Sequence, residues 1–221
     1  MKKERVGLFG GTFNSIHLGH LKAAGIVRDR FKIEKVFFIP SFIPPHKKGD
    51  EVAAPEHRLH MVKLALHESP QFIPSSIEID AGGESYSVIT LGKIRKTYSQ
   101  ALVFFILGID TFLEIETWKD YQEVLKNCFF IIISRPGYSL QEAREVLGGR
   151  YREKMKDISE KAEISEDMLS QYKFFLFPLD ALDVSSTEIR KRVKASESLE
   201  GMVPPRVENY IKENNLFKWK K

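Results

Sequence analysis

Short apolar runs alternate with helical patterns along most of this chain. The runs at residues 101–107, 128–134 and 173–177 are almost continuous Val, Ile, Leu and Phe, which is typical of strands covered on both faces of a parallel sheet. Between such runs, apolar residues recur at helical spacing. This βαβ alternation predicts an α/β fold with a doubly wound parallel sheet. The predicted strands are residues 5–9, 35–39, 76–79, 101–107, 128–134 and 173–177, and the predicted helices are 18–30, 55–69, 87–97 and 121–126.

Two stretches carry patterns that we interpret as structural. Residues 55–69 open with a proline and place Leu59, Val62 and Leu66 on one apolar stripe. Arg58, near the start of this stretch, is expected on the solvated face, and contact with an anion is the alternative. From residue 148 to 171, charges alternate with scattered apolar residues. That pattern is typical of a solvent-facing pair of helices, and we assign it no function.

Composition narrows the classes of function. With 221 residues, 43% of them hydrophobic, the chain is expected to form one domain, residues 1–221, with a full core. Its net charge of +4 is too small to indicate nucleic-acid binding, although it suits anionic substrates. The longest apolar run is far below the roughly 20 residues that span a bilayer. We therefore expect a soluble, cytoplasmic protein with small-molecule substrates and no membrane association.

Cysteine and histidine usage bears on the chemistry. Cys128 is the only cysteine, and because it lies in an apolar run we interpret it as a buried strand residue. No group of cysteines and histidines shows the spacing of a metal site. The sequence therefore predicts no metal held by protein ligands.

The most informative stretch is GGTFNSIHLGH at residues 10–20, which follows an apolar run and leads into a helical pattern. Gly10 and Gly11 lack Cβ atoms, so backbone can approach a ligand closely there. The first N–H groups of the next helix have no intrahelical partner and favour an anion. His17 and His20 are three residues apart and therefore share one face at the helix start. Two imidazoles beside an anion site predict chemistry on a phosphate.

This stretch resembles the GGTFDPIHxGH signature of the HxGH nucleotidyltransferases. Asn14 and Ser15 stand where that family has Asp-Pro, but Asn suits a turn as well as Asp does, and no catalytic group is lost. The resemblance implies a Rossmann-like nucleotidyltransferase fold with a helical C-terminal part. It also implies that His17 and His20 act catalytically by donating hydrogen bonds to phosphates. The turn residues implied to contact ATP are Gly10, Gly11, Thr12 and Phe13.

A second motif, DVSSTEIR, occupies residues 183–190. Ser185 with Glu188 three residues later has the form of a capping box, which marks a helix N-terminus. The residues alone leave open whether this is capping only or also an anion site. The match to the family's ISSTxIR segment implies that Ser186, Thr187 and Arg190 hold the ATP phosphates. The part of the chain from about residue 185 would then complete the ATP site.

Further candidate residues follow predicted strands, and the sequence alone allows two roles for each of them. His46 and Lys47 belong to a PPHK loop that is either a rigid surface turn or a contact for the acceptor's phosphate. Asp110 either caps a helix or accepts a hydrogen bond from a ribose hydroxyl. Arg135 is either solvated or an anion contact at a strand end. The resemblance implies nucleotide contacts for His46, Lys47 and Asp110, and we expect Arg135 to bind the pyridine nucleotide.

The segment ESYSVITL at residues 84–91 resembles the family's SYTxDTL segment. The resemblance implies that Tyr86 and Ser87 line a pyridine pocket, although side chains at that place can simply cap a helix. Trp118 is either a core residue or a stacking surface for the pyridine ring. Its neighbours are polar, which is unusual around a buried tryptophan.

The polar neighbours of Trp118 lead to a prediction about substrate choice. Thr117 and Asp120 have the form of a capping box, which predicts a helix that begins at Trp118. The early amides of that helix, including that of Lys119, would then be unpaired donors at a positive helix end. A pyridine carboxylate would accept hydrogen bonds from those donors, whereas a carboxamide would leave them poorly paired. The pattern therefore favours nicotinate over nicotinamide.

Together these motifs resemble the bacterial nicotinate mononucleotide adenylyltransferases over residues 5–216, apart from residues 138–172. The resemblance implies transfer of the adenylyl group of ATP to nicotinate mononucleotide, without a covalent intermediate, in NAD biosynthesis. Mg²⁺ would be bound mainly through the ATP phosphates. A phosphopantetheine adenylyltransferase-like enzyme is the nearest alternative, and a non-catalytic nucleotide sensor on the same fold is another. The sequence leaves protein partners open.

Overall fold

The computed structural model describes residues 3–43, 52–159, 162–179 and 184–218. Within these ranges, strands alternate with helices along the chain. The strands are β1 (Arg5–Gly11), β2 (Lys35–Pro40), β3 (Phe72–Pro74), β4 (Leu102–Gly108), β5 (Phe129–Ile133), β6 (Met155–Asp157) and β7 (Phe174–Phe177). The helices are α1 (Leu18–Phe31), α2 (Pro55–Leu66), α3 (Ser87–Thr97), α4 (Ile109–Leu113), α5 (Tyr121–Asn127), α6 (Glu166–Gln171), α7 (Ser186–Lys194) and α8 (Pro205–Glu213).

The described strands form one sheet in the order β3-β2-β1-β4-β5-β7-β6. β4 pairs in parallel with β1 and with β5, and β7 pairs in parallel with β5 and with β6. In the ladder between β1 and β4, Arg5 lies opposite Leu102 and Phe9 lies opposite Ile106. The strand order reverses between β1 and β4, and doubly wound folds bind ligands beyond the carboxyl ends of strands at such a reversal. The doubly wound parallel sheet predicted from the sequence is confirmed.

One predicted strand is wrong. Residues 76–79 form a turn, in which the Ser76 hydroxyl donates to the Asp80 carboxylate at 2.6 Å and the Asp80 amide donates to the Ser76 carbonyl at 2.8 Å. The strand at this place in the chain is β3, which begins earlier at Phe72. Its side chain is 7% exposed and packs on the Phe38 ring at 5.4 Å. β3 therefore buries a single aromatic residue, Phe72, and lies before the segment 76–79 that the sequence pattern indicated.

The expected pair of helices at residues 148–171 is also wrong in part. β6 lies within this stretch and adds an edge strand to the sheet beside β7. Met155 is the buried residue of β6, whereas Lys156 is half-buried and Asp157 is exposed. An ion pair of 2.6 Å joins Asp157 to Arg144. An edge strand with one inward apolar residue carries almost no pattern that would predict it.

Cys128 is buried, as expected, but it ends α5 and precedes β5. Its thiol donates to the Val124 carbonyl at 3.2 Å. Burial raises the pKa of Cys128 to about 12, so the thiolate that acts as a nucleophile is absent at neutral pH. The residue therefore serves packing.

The chain divides into two compact units, each assembled from three stretches. The first unit takes the described residues of Met1–Gly10, Ile26–Val36 and Tyr86–Asp180, and the second those of Gly11–Gly25, Phe37–Ser85 and Ala181–Lys221. The first unit has an aromatic core in which the Phe31 ring meets Phe175 edge-on at 5.4 Å. Edge-on aromatic pairs add stability beyond the area that they bury.

The second unit is held together by contacts of α2 with α8. These two helices meet where the His60 ring stacks on Tyr210 at 4.4 Å. His57, also in α2, has its Nδ1 2.8 Å from the Tyr210 hydroxyl. The Met202 carbonyl, just before α8, accepts from the Leu18 amide at the start of α1 at 2.8 Å. The C-terminal helices are therefore fastened to the helix that follows the glycine turn.

Gly7 in β1 lies where the first unit has no room for a side chain. A β-carbon at Gly7 would lie 3.1 Å from Ile106 and 3.3 Å from Val36. We expect Gly7→Val to lower the free energy of unfolding by about 1–3 kcal/mol through overpacking. Gly92 in α3 is exposed with nothing within 4 Å, so Gly92→Ala should add about 0.5–1 kcal/mol. Denaturant unfolding measures both, and a Gly7→Val variant as stable as Gly92→Ala would contradict this account.

Candidate active site

The turn between β1 and α1, residues 11–17, is called the β1–α1 turn here and lies in the second unit. Phe13 has a φ of 47°, a left-handed conformation that non-glycine residues seldom adopt. Its ring is 3% exposed and packs edge-on against His20 at 5.1 Å and against Phe38 at 5.8 Å. The Phe13 side chain therefore supports the turn, and a ligand can meet only its backbone.

Side chains from two helices hold the carbonyl groups of the β1–α1 turn. The three pairs, each at 2.9 Å, are Arg58 Nη1 to the Thr12 oxygen, Arg190 Nη1 to the Asn14 oxygen, and Ser186 Oγ to the Ser15 oxygen. Across a trans peptide the carbonyl and the next N–H point in opposite directions. The bond at Ser15 therefore directs the Ile16 amide away from α7, and that amide has no acceptor among the described residues.

His17 and His20 cap the start of α1 reciprocally. The His20 amide donates to His17 Nδ1, and the His17 amide donates to His20 Nδ1, both at 3.3 Å. This is the arrangement of a capping box, with imidazoles in place of the usual hydroxyl and carboxylate. The two rings stack at 3.6 Å with 29° between their planes. Because each Nδ1 accepts a hydrogen bond, the proton of each neutral ring lies on Nε2, which is then the donor.

One half of the capping box predicted at the start of α7 is confirmed. Ser185 precedes the helix, and its hydroxyl accepts from the Glu188 amide at 3.1 Å. Arg190 also donates to the Thr187 hydroxyl at 3.4 Å, and the Thr187 side chain is exposed. The structure thus brings Ser186 and Arg190 directly onto the β1–α1 turn and places Thr187 beside Arg190.

In the first unit, the residues predicted for the pyridine pocket form an aromatic and cationic group. The Lys119 ammonium lies 4.5 Å from the centre of the Tyr86 ring, a cation–π contact. Trp118 is half-buried and meets the Phe105 ring edge-on at 5.6 Å. Ser87, also half-buried, begins α3 directly after Tyr86. Trp118 is therefore neither a core residue nor a solvated one.

The predicted helix start at Trp118 is wrong. Thr117 ends a short 3-10 helix, and its hydroxyl donates back to the Glu114 carbonyl at 2.7 Å instead of capping a new helix. Asp120 adopts a left-handed φ of 49°, and α5 begins after it at Tyr121. The Trp118 amide is used by the Ile115 carbonyl at 3.1 Å. Among the described residues, the amides of Lys119 and Asp120 nevertheless have no acceptor.

Asp110 and Arg135 come together at the carboxyl end of β4. Asp110 Oδ1 and Arg135 Nε are 3.9 Å apart, and both atoms are buried without a hydrogen-bond partner among the described residues. Asp110 lies inside the first turn of α4 and does not cap it. A β-carbon at Gly108 would lie 2.2 Å from Asp110 Oδ1 and 2.8 Å from Arg135 Nε. Glycine at this position is what allows the pair to lie over the strand end.

The predicted position of Arg58, which contacts the β1–α1 turn from α2, is wrong. This arginine was expected on a solvated face, but its side chain is 1% exposed and lies with Met61, Val62 and Leu66 on the buried face of α2. The signal was present, because Arg58 precedes Met61 and Val62 by three and four residues, which is one helix face. A charged side chain is ordinarily expected in solvent, and this expectation outweighed the helical spacing.

The remaining predictions concern the PPHK loop, metal ligands and membrane-spanning helices. His46 and Lys47 fall in a part of the chain that the structure does not describe. In the described ranges, no three His, Cys, Asp or Glu side chains converge as metal ligands. None of the helices in those ranges has the length and apolar character needed to cross a bilayer.

Known proteins resemble this chain over most of its length. Residues 8–192 match the cytidylyltransferase-like family. A probable nicotinate-nucleotide adenylyltransferase from Desulfitobacterium hafniense strain Y51 is 39% identical, over 97% of this chain and 96% of the relative. The protein of that name from Moorella thermoacetica is 38% identical, over 97% of this chain and 92% of the relative.

The fold has a counterpart among solved structures. The Plasmodium falciparum nicotinic acid mononucleotide adenylyltransferase complexed with NaAD aligns with a TM-score of 0.71 at 18% identity, over 97% of each chain. At 18% identity, this similarity supports a shared fold and nothing further. Full-length similarity to the bacterial relatives carries the assignment further: the chain belongs to the cytidylyltransferase-like family and, within it, to the nicotinate-nucleotide adenylyltransferases.

Proposed function

We propose that this chain transfers the adenylyl group of ATP to the phosphate of nicotinate mononucleotide. A phosphate oxygen of the acceptor attacks the α-phosphorus of ATP, the bond from that phosphorus to the bridging oxygen breaks, and pyrophosphate leaves. The products are nicotinate adenine dinucleotide and pyrophosphate, a step of NAD biosynthesis. The acceptor phosphate is already anionic at neutral pH, so the reaction needs no strong base. Catalysis then consists of positioning and of stabilising the charge that develops on phosphate oxygens.

The reciprocal cap of His17 and His20 is the observation that carries this proposal. Each ring uses Nδ1 to cap α1, which commits the proton to Nε2 and makes that nitrogen the donor. Donors fixed before the substrate arrives lose little freedom when charge develops, which is how preorganised sites lower a barrier. We assign both Nε2–H groups to the phosphate oxygens of ATP.

Residues of the β1–α1 turn and α7 complete the phosphate contacts in this assignment. Arg190 supplies a fixed positive charge and is itself held by the Asn14 carbonyl. Ser186 and Thr187 add hydroxyls at the first turn of α7, where the helix dipole favours an anion. Backbone of the predicted ATP contacts, Gly10, Gly11, Thr12 and Phe13, approaches the nucleotide. Magnesium enters with ATP, bound through the phosphates, because Mg²⁺ retains water and uses few protein ligands at such sites.

The groups of the first unit are assigned to the nucleoside parts of the substrates. Trp118 and Tyr86 offer aromatic faces for the pyridine ring, and Ser87 adds a hydroxyl beside them. Asp110 has a buried carboxylate oxygen without a hydrogen-bond donor among the described residues, which suits a ribose hydroxyl donor. Arg135, whose Nε lies 3.9 Å from that oxygen and also lacks a hydrogen-bond partner there, is assigned to the pyridine nucleotide. His46 and Lys47 are assigned to the acceptor phosphate on the resemblance of the PPHK loop.

A panel of acceptors tests the reaction and its selectivity. We expect pyrophosphate release from magnesium-ATP with nicotinate mononucleotide and none with phosphopantetheine. The preference for nicotinate over nicotinamide mononucleotide should be at least about tenfold in kcat/KM, because a carboxamide would leave the donors near Lys119 poorly paired. Trp118→Ala should raise the KM of the pyridine substrate. Turnover of phosphopantetheine would contradict the assigned acceptor, and equal use of nicotinamide mononucleotide would contradict the predicted selectivity. No pyrophosphate release with any acceptor would favour a non-catalytic sensor.

Replacing either histidine of the cap should affect kcat more than the stability of the fold. His17→Ala and His20→Ala should each lower kcat by about 100- to 1,000-fold, through loss of one preorganised donor. Loss of the cap should lower stability by only about 0.5–2 kcal/mol. The exposed His67 at the end of α2 provides a control, since His67→Ala should leave kcat unchanged. Wild-type turnover in a folded His17→Ala or His20→Ala variant would remove these residues from the mechanism.

Arg190 should act at the ATP end of the site. Arg190→Ala is expected to impair use of ATP more than use of the acceptor, measured as kcat and KM for each substrate. Arg190→Lys should rescue only partly, because an ammonium cannot reproduce the planar fork that also reaches Asn14 and Thr187. A defect confined to the KM of the acceptor would place Arg190 at the other end of the site.

A further inference from the structure

Arg58 is a buried positive charge, and no carboxylate of the described residues lies within ion-pair distance of it. Its burial lowers its pKa to about 10, so it stays protonated at neutral pH. Removing a charge from water costs several kcal/mol unless hydrogen bonds compensate for the lost hydration. A charge retained at that cost within the second unit calls for an explanation beyond the packing of α2.

The compensation comes from three backbone carbonyls. Arg58 Nη1 donates to the Thr12 oxygen, Nη2 to the Phe42 oxygen and Nε to the Ala53 oxygen, each at 2.9 Å. These carbonyls belong to three separate segments: the β1–α1 turn, the chain after β2 and the chain before α2. The planar guanidinium fixes the directions of its donors relative to one another. One side chain therefore sets the positions of three segments at once.

The hydrogen-bond network around Arg58 extends to Arg190. The Ala53 amide donates to the Asn14 side-chain oxygen at 2.9 Å, and the Asn14 backbone oxygen accepts from Arg190 at 2.9 Å. Asn14 is thus held by Ala53 on one side and by Arg190 on the other. Because Ala53 in turn is held by Arg58, the two arginines fix the β1–α1 turn from opposite ends of one hydrogen-bonded chain.

The other buried guanidinium of the described chain behaves differently. Arg5 is 2% exposed and donates to the Phe31 carbonyl at 2.8 Å. It also forms an ion pair with Glu166, so a carboxylate balances its charge. Arg58 has no such ion pair among the described residues: its guanidinium meets three backbone carbonyls directly, and the exposed Glu56 carboxylate attracts it only from beyond ion-pair distance.

We propose that Arg58 is a positioning residue for adenylyl transfer, which fixes the β1–α1 turn so that its amides and the two histidines face the reacting phosphate. This role rests on the proposed function. Arg58 touches backbone carbonyls and acts on the substrate through the turn. A displaced turn would misplace donors in the transition state more than it would weaken nucleotide binding, so the effect belongs to kcat.

The first test separates charge from geometry. Arg58→Lys keeps the charge but can reproduce only part of the fork, and Arg58→Met removes both. A misplacement of about 1 Å can cost about 100-fold in rate. We expect kcat to fall about 10- to 100-fold in Arg58→Lys and further in Arg58→Met, with the KM of ATP within about threefold of wild type for Arg58→Lys.

Arg5 provides the matched control, because it is equally buried and also donates to a backbone carbonyl. Arg5→Lys and Arg5→Met should lower the thermal unfolding midpoint as the Arg58 variants do, while kcat stays at the wild-type value. A general loss of stability would affect both arginines alike. A loss of kcat in Arg5→Lys as large as in Arg58→Lys would overturn the proposal.

A second variant keeps the test decisive if the Arg58 variants do not fold. Asn14→Ala removes the acceptor of the Ala53 amide while Arg58 stays in place, and we expect the same fall in kcat at nearly unchanged KM. Wild-type kcat in folded Arg58→Lys or in Asn14→Ala would overturn the proposal while leaving the adenylyl transfer of the wild-type chain intact. Absence of transfer by the wild-type chain itself would instead overturn the proposed function.

Discussion

The carbonyl groups of the β1–α1 turn must find donors, and in this molecule side chains supply them. Buried backbone oxygens without a partner cost free energy comparable to a lost hydrogen bond. Three successive parts of the turn are satisfied by Arg58 from α2 and by Ser186 and Arg190 from α7. These donors lie 46 to 176 residues away in sequence. The observed conformation of the turn therefore depends on contacts with distant parts of the second unit.

The sequence predicts the sheet well where strands are buried on both faces. β4, β5 and β7 are continuous apolar runs, and each was located within one residue at its ends. Burial of one residue per strand leaves no such signal, which is why β3 and β6 escaped prediction. Both are three residues long, and each of them buries one side chain, Phe72 or Met155.

For the candidate site, local sequence patterns leave the geometry of the side chains open. The spacing of His17 and His20 placed them on one helix face, but the reciprocal use of Nδ1 depends on where α1 begins, which the spacing alone does not determine. Thr117 and Asp120 had the form of a capping box, yet Asp120 adopts a left-handed conformation that a residue pattern does not distinguish from an ordinary helix start. Arg58 was assigned to solvent because of its charge, although its register pointed inward.

In the proposed mechanism, the double use of each imidazole at the start of α1 ties catalysis to folding. One nitrogen of each ring is committed to a backbone amide as soon as the first turn of the helix forms, and this leaves the opposite nitrogen protonated and pointing away from the helix. No separate step is then needed to select the tautomer after the nucleotide has arrived. The spacing of three residues is likewise fixed by helix geometry, so an insertion between the histidines would remove the cap and the donors together. If both histidines act as proposed, a molecule whose α1 begins correctly already has its phosphate donors in place.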